Sequence, residues 1–471
     1  MCGIVGMSSS THPVAFDMYV GLWALQHRGK ESAGMALSQE GEISRIGGMG
    51  EVPRAFRGLP LQDYTQRVAI GQVRYSTAGV SGSCNLQPVQ GEFRGHDFFL
   101  VHNGNIVNVL ELKEQLGGKG EDGENQVSDT VVISRLLSAS PAEDFPTALA
   151  DTARLLHGSF NLIALYRDTL YALVDSHGFH PLQIGRRGDD IFVSSESCVF
   201  DQLGGELVRD LRPGEIVVSE QGDWTTGQWC SVTDLKFDVF EWIYFLRPDT
   251  VVHDTEAGMA RRHMGRMLAN EHPADADIVV PIPDSANEAA LGYYEQLMRS
   301  GSSAEFEPWA LFRPHTVSRT FIEPVQAIRK QYIKLKFNPR RQLFKGRRVV
   351  LIDDSIVRGN TLEGIVGEVR AAGAKEVHVR ITSPMYLFPD FYGIDTYREA
   401  RGLIARNCGG CVQKIADTLR LDSLGYLSLH STIHSVLKAS GPASDFSKTS
   451  FYTGPFTGEY PAGQGDFASI V

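Results

Sequence analysis

The second residue of the chain is a cysteine followed by a glycine, in Met1-Cys2-Gly3-Ile4-Val5-Gly6. Removal of Met1 would put a thiol and an α-amine on one residue. A free α-amino group has a pKa of about 7.7–8.0, so near neutral pH much of it is an unprotonated base within reach of its own thiol. Cys2 would then carry nucleophile and general base together. Taken alone, a cysteine in this place reads as a small buried hydrophobe, so the chemistry has to come from its companions. A nucleophile acting on an amide needs donors for the oxyanion of its tetrahedral intermediate. In Phe98-Phe99-Leu100-Val101-His102-Asn103-Gly104-Asn105 a buried strand is expected to end at Asn-Gly. There the Asn103 side-chain amide and the Gly104 N–H can point the same way; the other reading of Asn-Gly is a hairpin turn. An amino-acid substrate would also need a cation for its carboxylate and an anion for its ammonium. Arg74, after a strand expected over 68–73, can be a bidentate fork, and Asp129, at a helix start, can take the ammonium. Singly, each reads as a surface or capping charge.

A second constellation lies far downstream. Arg347-Arg348-Val349-Val350-Leu351-Ile352-Asp353-Asp354-Ser355-Ile356-Val357-Arg358-Gly359-Asn360-Thr361 reads as an apolar strand, two carboxylates, a glycine-containing loop and a helix start. Backbone N–H groups of a loop feeding a helix N-terminus can cradle a phosphate. Two carboxylates at contact distance would repel that phosphate, so Asp353 and Asp354 are expected to face another part of the same ligand, either sugar hydroxyls or a bound Mg²⁺. The plainer reading is an acidic turn with Ser355 beginning a cap.

These residues need elements to place them. Up to about residue 232 the pattern is short apolar runs broken by Gly, Ser and Asn, with strands expected at 68–73, 98–101, 160–166, 170–175 and 191–194 and helices at 128–137, capped by Ser128, and 142–156. That is an α+β pattern. After about residue 255 helices (256–271, 287–298, 361–372) alternate with strands (277–281, 348–352, 376–381), which means βαβ crossovers and a buried parallel sheet. The expected division is 2–232, a junction at 233–255, 256–440, and an irregular, partly mobile tail at 441–471.

At 471 residues the chain is too long for one ordinary core. Its net charge of −11 offers no field for a nucleic-acid backbone or an anionic membrane. With no long apolar run and no charged-then-apolar leader, neither a membrane span nor a secretory signal is expected, and the cytoplasm is the expected location. The six cysteines (Cys2, Cys84, Cys198, Cys230, Cys408, Cys411) are too scattered for a disulfide framework. Only Cys408 and Cys411 have ligand spacing, and one such pair supplies half of a zinc site.

Four motifs in order, Cys2-Gly3-Ile4-Val5-Gly6, Leu25-Gln26-His27-Arg28-Gly29-Lys30-Glu31-Ser32-Ala33-Gly34, Val73-Arg74-Tyr75-Ser76-Thr77-Ala78-Gly79 and His102-Asn103-Gly104, resemble those of class II glutamine amidotransferases. The resemblance implies a layered αββα N-terminal-nucleophile sandwich in which Cys2 attacks the glutamine side-chain amide. It further implies that Asn103 and Gly104 form the oxyanion hole, that Arg74 and Asp129 hold the glutamine backbone groups, and that His27 and Arg28 support the site. The segment 347–361 resembles the donor motif of α/β type I phosphoribosyltransferases. That implies phosphoribosyl pyrophosphate on Asp353, Asp354, Ser355, Ile356, Val357, Arg358, Gly359, Asn360 and Thr361, with Mg²⁺ at the two aspartates. A pyrophosphate loop would carry Asp284 and Ser285, and Ser318-Arg319-Thr320-Phe321-Ile322 with Gln326, Arg329 and Lys330 resembles a mobile hood.

Both halves in this order, with Phe240-Glu241-Trp242-Ile243-Tyr244-Phe245 and Arg247-Pro248-Asp249 between them, resemble the glutamine phosphoribosylpyrophosphate amidotransferase family. The implied reaction passes ammonia from glutamine to C1 of the ribose, giving 5-phosphoribosylamine and pyrophosphate, the first step of purine synthesis. A homotetramer inhibited by purine nucleotides is implied as well. The chain departs from the family pattern at Ser285-Ala286-Asn287-Glu288, at Pro314-His315-Thr316-Val317 before Ser318, and at Asn360, all on the transferase side. Some members hold a [4Fe–4S] cluster on four cysteines; the matching positions here are Asp238, Asp390, Tyr452 and Pro455, none of which supplies a thiolate, so no cluster is expected. Two alternatives stay open: a paralogue delivering ammonia to a different activated sugar or acceptor, and a non-enzymatic nucleotide sensor, which would have no use for a Cys2 constellation.

Overall fold

Apolar residues alternate between two cores along most strands of the first half, because the sheets there are covered on both faces. In this computed structural model, which describes all residues except 76–84, 118–127, 232–233, 315–336, 395, 398–399 and 471, thirteen strands form two antiparallel sheets. One contains β1 (Gly3–Ser8), β2 (Ser32–Gln39), β3 (Glu42–Met49), β4 (Val68–Arg74), β9 (Gln183–Arg187), β10 (Asp190–Ser194) and β11 (Glu206–Asp210), in the order β11-β9-β10-β1-β4-β2-β3. The other contains β5 (Val89–Phe93), β6 (His96–Ile106), β7 (Gly158–Tyr166), β8 (Thr169–Val174), β12 (Glu215–Glu220) and β13 (Asp223–Gln228), in the order β13-β12-β8-β7-β6-β5.

Ile4, Ile70 and Val193 of the first sheet meet Phe99, Val101 and Ile163 of the second between the layers. The opposite face of the first sheet, with Val5 and Met7, packs under helix Ala15–Ala24. The outer face of the second, with Phe98 and Leu100, packs under helices Asp129–Ser138 and Phe145–Leu155. This is the expected αββα sandwich. β6 does not stop at Asn103-Gly104; it runs on to Ile106, so the hairpin reading fails and the pair sits inside a strand. The second helix starts at Phe145, later than expected, because Asp144 is the residue whose side chain caps it, accepting from Thr147 N at 2.8 Å. Ser128 stands at the N-cap of helix Asp129–Ser138 without a side-chain capping bond.

The second half has a five-stranded sheet ordered Glu305–Phe306, Ile278–Pro281, Arg348–Asp353, Glu376–Ile381, Ser423–Tyr426, with every pair parallel. Val279, Val350 and Ile352 enter one core, and Val280, Val349 and Leu351 the other, as expected of parallel strands with helices on both faces. Two strands outside the main sheets tie the chain together: β14 (Phe237–Asp238) pairs in parallel with Phe451–Tyr452. The expected irregular tail is therefore ordered. It carries that strand and helix Gly454–Thr457, and it returns to the first half, where Asp466 N donates to Val107 O at 2.7 Å and Asp466 Oδ2 accepts from Leu110 N at 2.7 Å. Its aromatic residues Tyr452, Tyr460 and Phe467 offset the ordering entropy by packing with Phe179, Phe391 and Tyr392.

Candidate active sites

β1 starts one residue after Cys2 and lies between β4 and β10, so Cys2 sits at the end of a central strand. Cys2 N donates to Asn103 Oδ1 at 2.9 Å, while Arg28 Nε donates to Cys2 O at 3.0 Å. The sulfur lies 3.5 Å from both the N and the O of Tyr75, the residue after β4. Asn103 Nδ2 is buried with no hydrogen-bond partner. A buried unpaired amide is costly, and this one is a free donor beside the Cys2 thiol. Gly104 has φ +147°, and a Cβ there would stand 2.2 Å from Ser159 O, so only glycine fits beside Asn103. A Cβ on Gly29 would likewise meet the Arg74 backbone at 2.4 Å, which explains that motif glycine.

Burial pushes the Cys2 thiol up, opposed by the nearby terminal ammonium, by the Tyr75 amide and by Arg74. The thiol therefore needs a base. The α-amine of Met1 is lowered to about 6, chiefly by burial, and an α-amine of Cys2 at this depth would meet the same desolvation. Arg74 Nη1 pairs with Glu31 Oε1 at 2.8 Å. Asp129 lies 3.5 Å through Oδ2 from His102 Nδ1, and that oxygen is buried without a hydrogen-bond partner. Burial pushes the Asp129 carboxyl up, but His102 and the amides of Thr130 and Ile106 outweigh it and hold it below the ordinary range. Asp129 is thus held in its charged form. His27 Nε2 lies 2.7 Å from Glu196 Oε1.

Glu196 and His180 carry no motif signal in the sequence, and Glu241 entered only as a member of the junction motif without a role. Arg28 Nη1 binds Glu196 Oε1 at 2.5 Å and Nη2 binds Glu241 Oε1 at 2.6 Å, all three side chains fully buried. Burial opposes the Arg28 charge, and Glu241 and Glu196 more than compensate. Glu196 Oε2 also takes Arg247 N at 2.9 Å and Thr250 Oγ1 at 2.7 Å. Breaking one side of such a buried pair costs about 3–5 kcal/mol. No motif spacing could have shown this cluster, because its acids come from positions 196 and 241. Asn105 was legible in principle: two residues beyond Asn103 on one strand, it shares a face, and its Nδ2 donates to Phe391 O in the second half at 2.7 Å.

In the second half, strand Arg348–Asp353 delivers both acids to a loop that enters helix Asn360–Ala371 through Gly359, φ +82°. Asp354 Oδ2 accepts from Ser285 Oγ at 2.5 Å and Oδ1 from Ser355 Oγ at 2.6 Å. The two expected donor loops are thus joined through one buried carboxylate. Asp353 Oδ1 accepts from Asp354 N at 3.0 Å. Asp284 pairs with Arg313. Arg358, Asn360 and Thr361 are exposed around the helix start, while Ile356 is in the core, so it can offer a ligand its backbone alone. Glu288 lies in the first turn of helix Asn287–Arg299, near Arg262, whose pKa is raised mainly by its hydrogen bond to Glu295 with Glu288 adding to it. Arg319, Lys330 and the rest of the expected hood, with His315, fall outside the described residues, as do Ser76 to Gly79 and Cys84.

Three of the four positions expected to match cluster ligands, Asp238, Asp390 and Tyr452, come together. Asp390 Oδ1 accepts from Tyr452 OH at 2.8 Å and from Tyr392 N at 3.0 Å, and its Oδ2 from Ile394 N at 2.6 Å and Gly393 N at 3.1 Å. Pro455 O accepts from Leu387 N and Phe388 N. Asp238 packs beside them, its carboxyl pushed well above the usual range by burial and then by Asp390. Hard oxygen donors already engaged with one another do not fit a thiolate-held iron–sulfur cluster. Cys408 and Cys411 lie in the turn between helices Ile404–Asn407 and Val412–Leu419. Among the described residues no three His, Cys, Asp or Glu side chains form a metal-binding group, and no helix is long and apolar enough to cross a membrane.

Comparison with known proteins agrees with this geometry. Residues 73–202 match the family model described as a glutamine amidotransferase domain. An amidophosphoribosyltransferase of Methanothermobacter thermautotrophicus is 40% identical over 98% of this chain and 94% of its own length. One from Staphylococcus aureus is 36% identical over 99% and 92%. The solved structure of glutamine phosphoribosylpyrophosphate amidotransferase from B. subtilis, complexed with ADP and GMP, matches with a TM-score of 0.85 at 33% identity, covering 98% of this chain and 97% of that one. At such identity over nearly its whole length, the chain belongs to the amidophosphoribosyltransferase family.

Proposed function

We propose that this protein transfers ammonia from glutamine to C1 of 5-phosphoribosyl 1-pyrophosphate, giving 5-phosphoribosylamine, glutamate and pyrophosphate, the first step of purine synthesis. The observation that carries the reading is Asn103, whose Oδ1 holds Cys2 N while its Nδ2 stays buried and unpaired beside the thiol.

In this reading Met1 is removed and the Cys2 α-amine takes the thiol proton. The thiolate attacks the glutamine δ-carbon, and the oxyanion is received by Asn103 Nδ2 and the Gly104 N–H. As the intermediate collapses the C–N bond breaks, the proton passes from the Cys2 ammonium to the leaving nitrogen, and ammonia departs from a thioester. Water then releases glutamate and the thiol. Arg74 binds the glutamine α-carboxylate and Asp129 its ammonium. In the second half the N–H groups from Ser355 to Thr361 hold the 5-phosphate, Asp353 and Asp354 face the ribose side, and Asp284, Ser285, Arg319 and Lys330 serve the pyrophosphate. Asp353 and Asp354 are the residues that would hold Mg²⁺, which when bound offsets diphosphate charge. Ammonia attacks C1 as the C1–O bond to pyrophosphate breaks. An internal passage suits this chemistry, since free ammonia becomes ammonium in neutral water.

We assign the glutaminase to 2–232, the junction to 233–255, the transferase to 256–440 and a returning tail to 441–471. A cytoplasmic homo-oligomer, a tetramer as in the family, regulated by purine nucleotides completes the proposal. The test is to incubate the purified protein with glutamine and Mg²⁺, with and without phosphoribosyl pyrophosphate, and to measure glutamate and pyrophosphate together. Equal, donor-dependent release of both is expected. Glutamate without pyrophosphate would replace this reading with a glutaminase serving another acceptor.

A further inference from the structure

We infer that Glu241, which lies outside the two glutaminase sheets, is a positioning residue for Cys2 and acts through Arg28. The inference rests on the reading of Cys2 as the glutaminase nucleophile. Two contacts fix the main chain of Cys2: Asn103 Oδ1 on its nitrogen and Arg28 Nε on its carbonyl. The direction of the thiol and of its neighbouring amine follows from these two. Arg28 can hold the carbonyl only if its guanidinium plane is fixed, and the remaining nitrogens are fixed by two carboxylates, Glu196 on Nη1 and Glu241 on Nη2. With Glu196 alone the fork keeps one anchor and can swing about it.

Glu241 is itself aimed. It opens a widened π-type turn, Glu241–Phe245, a local geometry frequent at functional sites. His180 Nδ1 lies 3.3 Å from its Oε1, and His180 Nε2 lies 3.0 Å from Tyr392 O. The path therefore runs from the Cys2 carbonyl through Arg28, Glu241 and His180 to the 390–394 turn of the second half. Glu241 Oε2 is buried with no hydrogen-bond partner, which a group present for stability alone would not favour, since apolar residues of the same volume serve stability as well as a buried ion pair. What the pair supplies is orientation. The nucleophile is thereby held in place by a residue outside its own sandwich.

The test is Glu241→Gln, which keeps the volume and an oxygen acceptor for Arg28 but removes the charge. Three rates are measured on the full chain: glutamine hydrolysis, alkylation of Cys2 by a diazoketone analogue of glutamine, and pyrophosphate release driven by an ammonium salt in place of glutamine. The expected result is a kcat for glutamine about tenfold lower at a KM within twofold, an equal fall in alkylation, and ammonium-driven transfer within twofold of the parent; small displacements of reacting groups can cost up to about a hundredfold. Unchanged kcat overturns the inference. So does an equal fall in the glutamine- and ammonium-driven rates, which marks general damage. If the variant is insoluble, His180→Gln is read in the same assays, where a fall of about threefold in kcat at constant KM is expected and a parent-like kcat overturns the inference. A parent protein inert towards glutamine would instead defeat the proposed function.

Discussion

Cys2 and Asp354 are both buried, yet different kinds of structure hold them. Cys2 is fixed by Asn103, Tyr75 and Arg28, which lie 101, 73 and 26 residues away and come from three separate parts of the first half. Asp354 belongs to a continuous strand, loop and helix start, and one of its two hydroxyl partners is the next residue. The glutaminase site is thus assembled from long-range contacts, and disturbing one member should spread to the others. The surroundings of Asp354 are more local, a continuous strand, loop and helix start with exposed side chains at the helix entrance and one tie, Ser285, from 69 residues away, and they should tolerate change residue by residue better than those of Cys2.

The largest test of this contrast is Cys2→Ala. Glutamine-dependent release of glutamate and pyrophosphate should fall at least about 10⁴-fold, while ammonium-driven pyrophosphate release persists; loss of both rates would mean that the two sites are not separable. Asn103→Ala should lower kcat for glutamine about 10²–10³-fold with a smaller change in KM, and a pure KM effect would remove Asn103 from the oxyanion hole. Asp354→Asn should weaken donor-dependent pyrophosphate release about 10–100-fold, the worth of hydrogen bonds to a charged group. Donor-free glutamine hydrolysis should stay within twofold, and a parallel loss there would erase the contrast.

The pH profile gives a finer test. Burial disfavours the ammonium form, so the base appears at lower pH; the acid limb of the glutaminase kcat should lie below the ordinary α-amino range of about 7.7–8.0, in line with the value of about 6 at the buried Met1 amine. An acid limb at 8 would mean that the amine is solvated in the processed enzyme.

The smallest effect is expected where the two regions join. The Asp238 carboxyl is raised in the folded state by burial and by Asp390, so the folded protein binds this proton more tightly than the unfolded chain. Stability from it is fully present below the unfolded pKa of about 3.9 and is lost as pH rises towards the folded value. Asp238→Asn should therefore gain on the parent as pH rises, by about 2 °C in Tm at pH 8, with the gap closing towards pH 5. A gap constant with pH would mean that Asp238 is ionised in the fold.

Legibility followed the same division. The strand, acids, loop and helix of 348–361 were readable because each step is set by its neighbours, and Ile356 and Val357, packed into the cores, depart from a pure ligand loop. The ends of β6 were misread because the Asn103-Gly104 backbone stays extended against β7, where pairing overrides the turn preference of the dipeptide. The tail was misread because its small and polar residues hide three aromatic anchors that find partners in both halves.

By itself the sequence determined an α+β half followed by a parallel sheet, since periodicity, glycine placement and residue type act locally; the layered sandwich and the role expected of Cys2 came from the ordered motifs and the family they resemble. Only the tertiary structure decided that Glu196 and Glu241 grip Arg28 with His180 against Glu241, that Asp390 is bound by Tyr452 in a buried knot beside Asp238, and that the tail closes on Val107. Each of these depends on contacts between distant segments, and no local preference encodes which buried charges will find each other when the two halves pack.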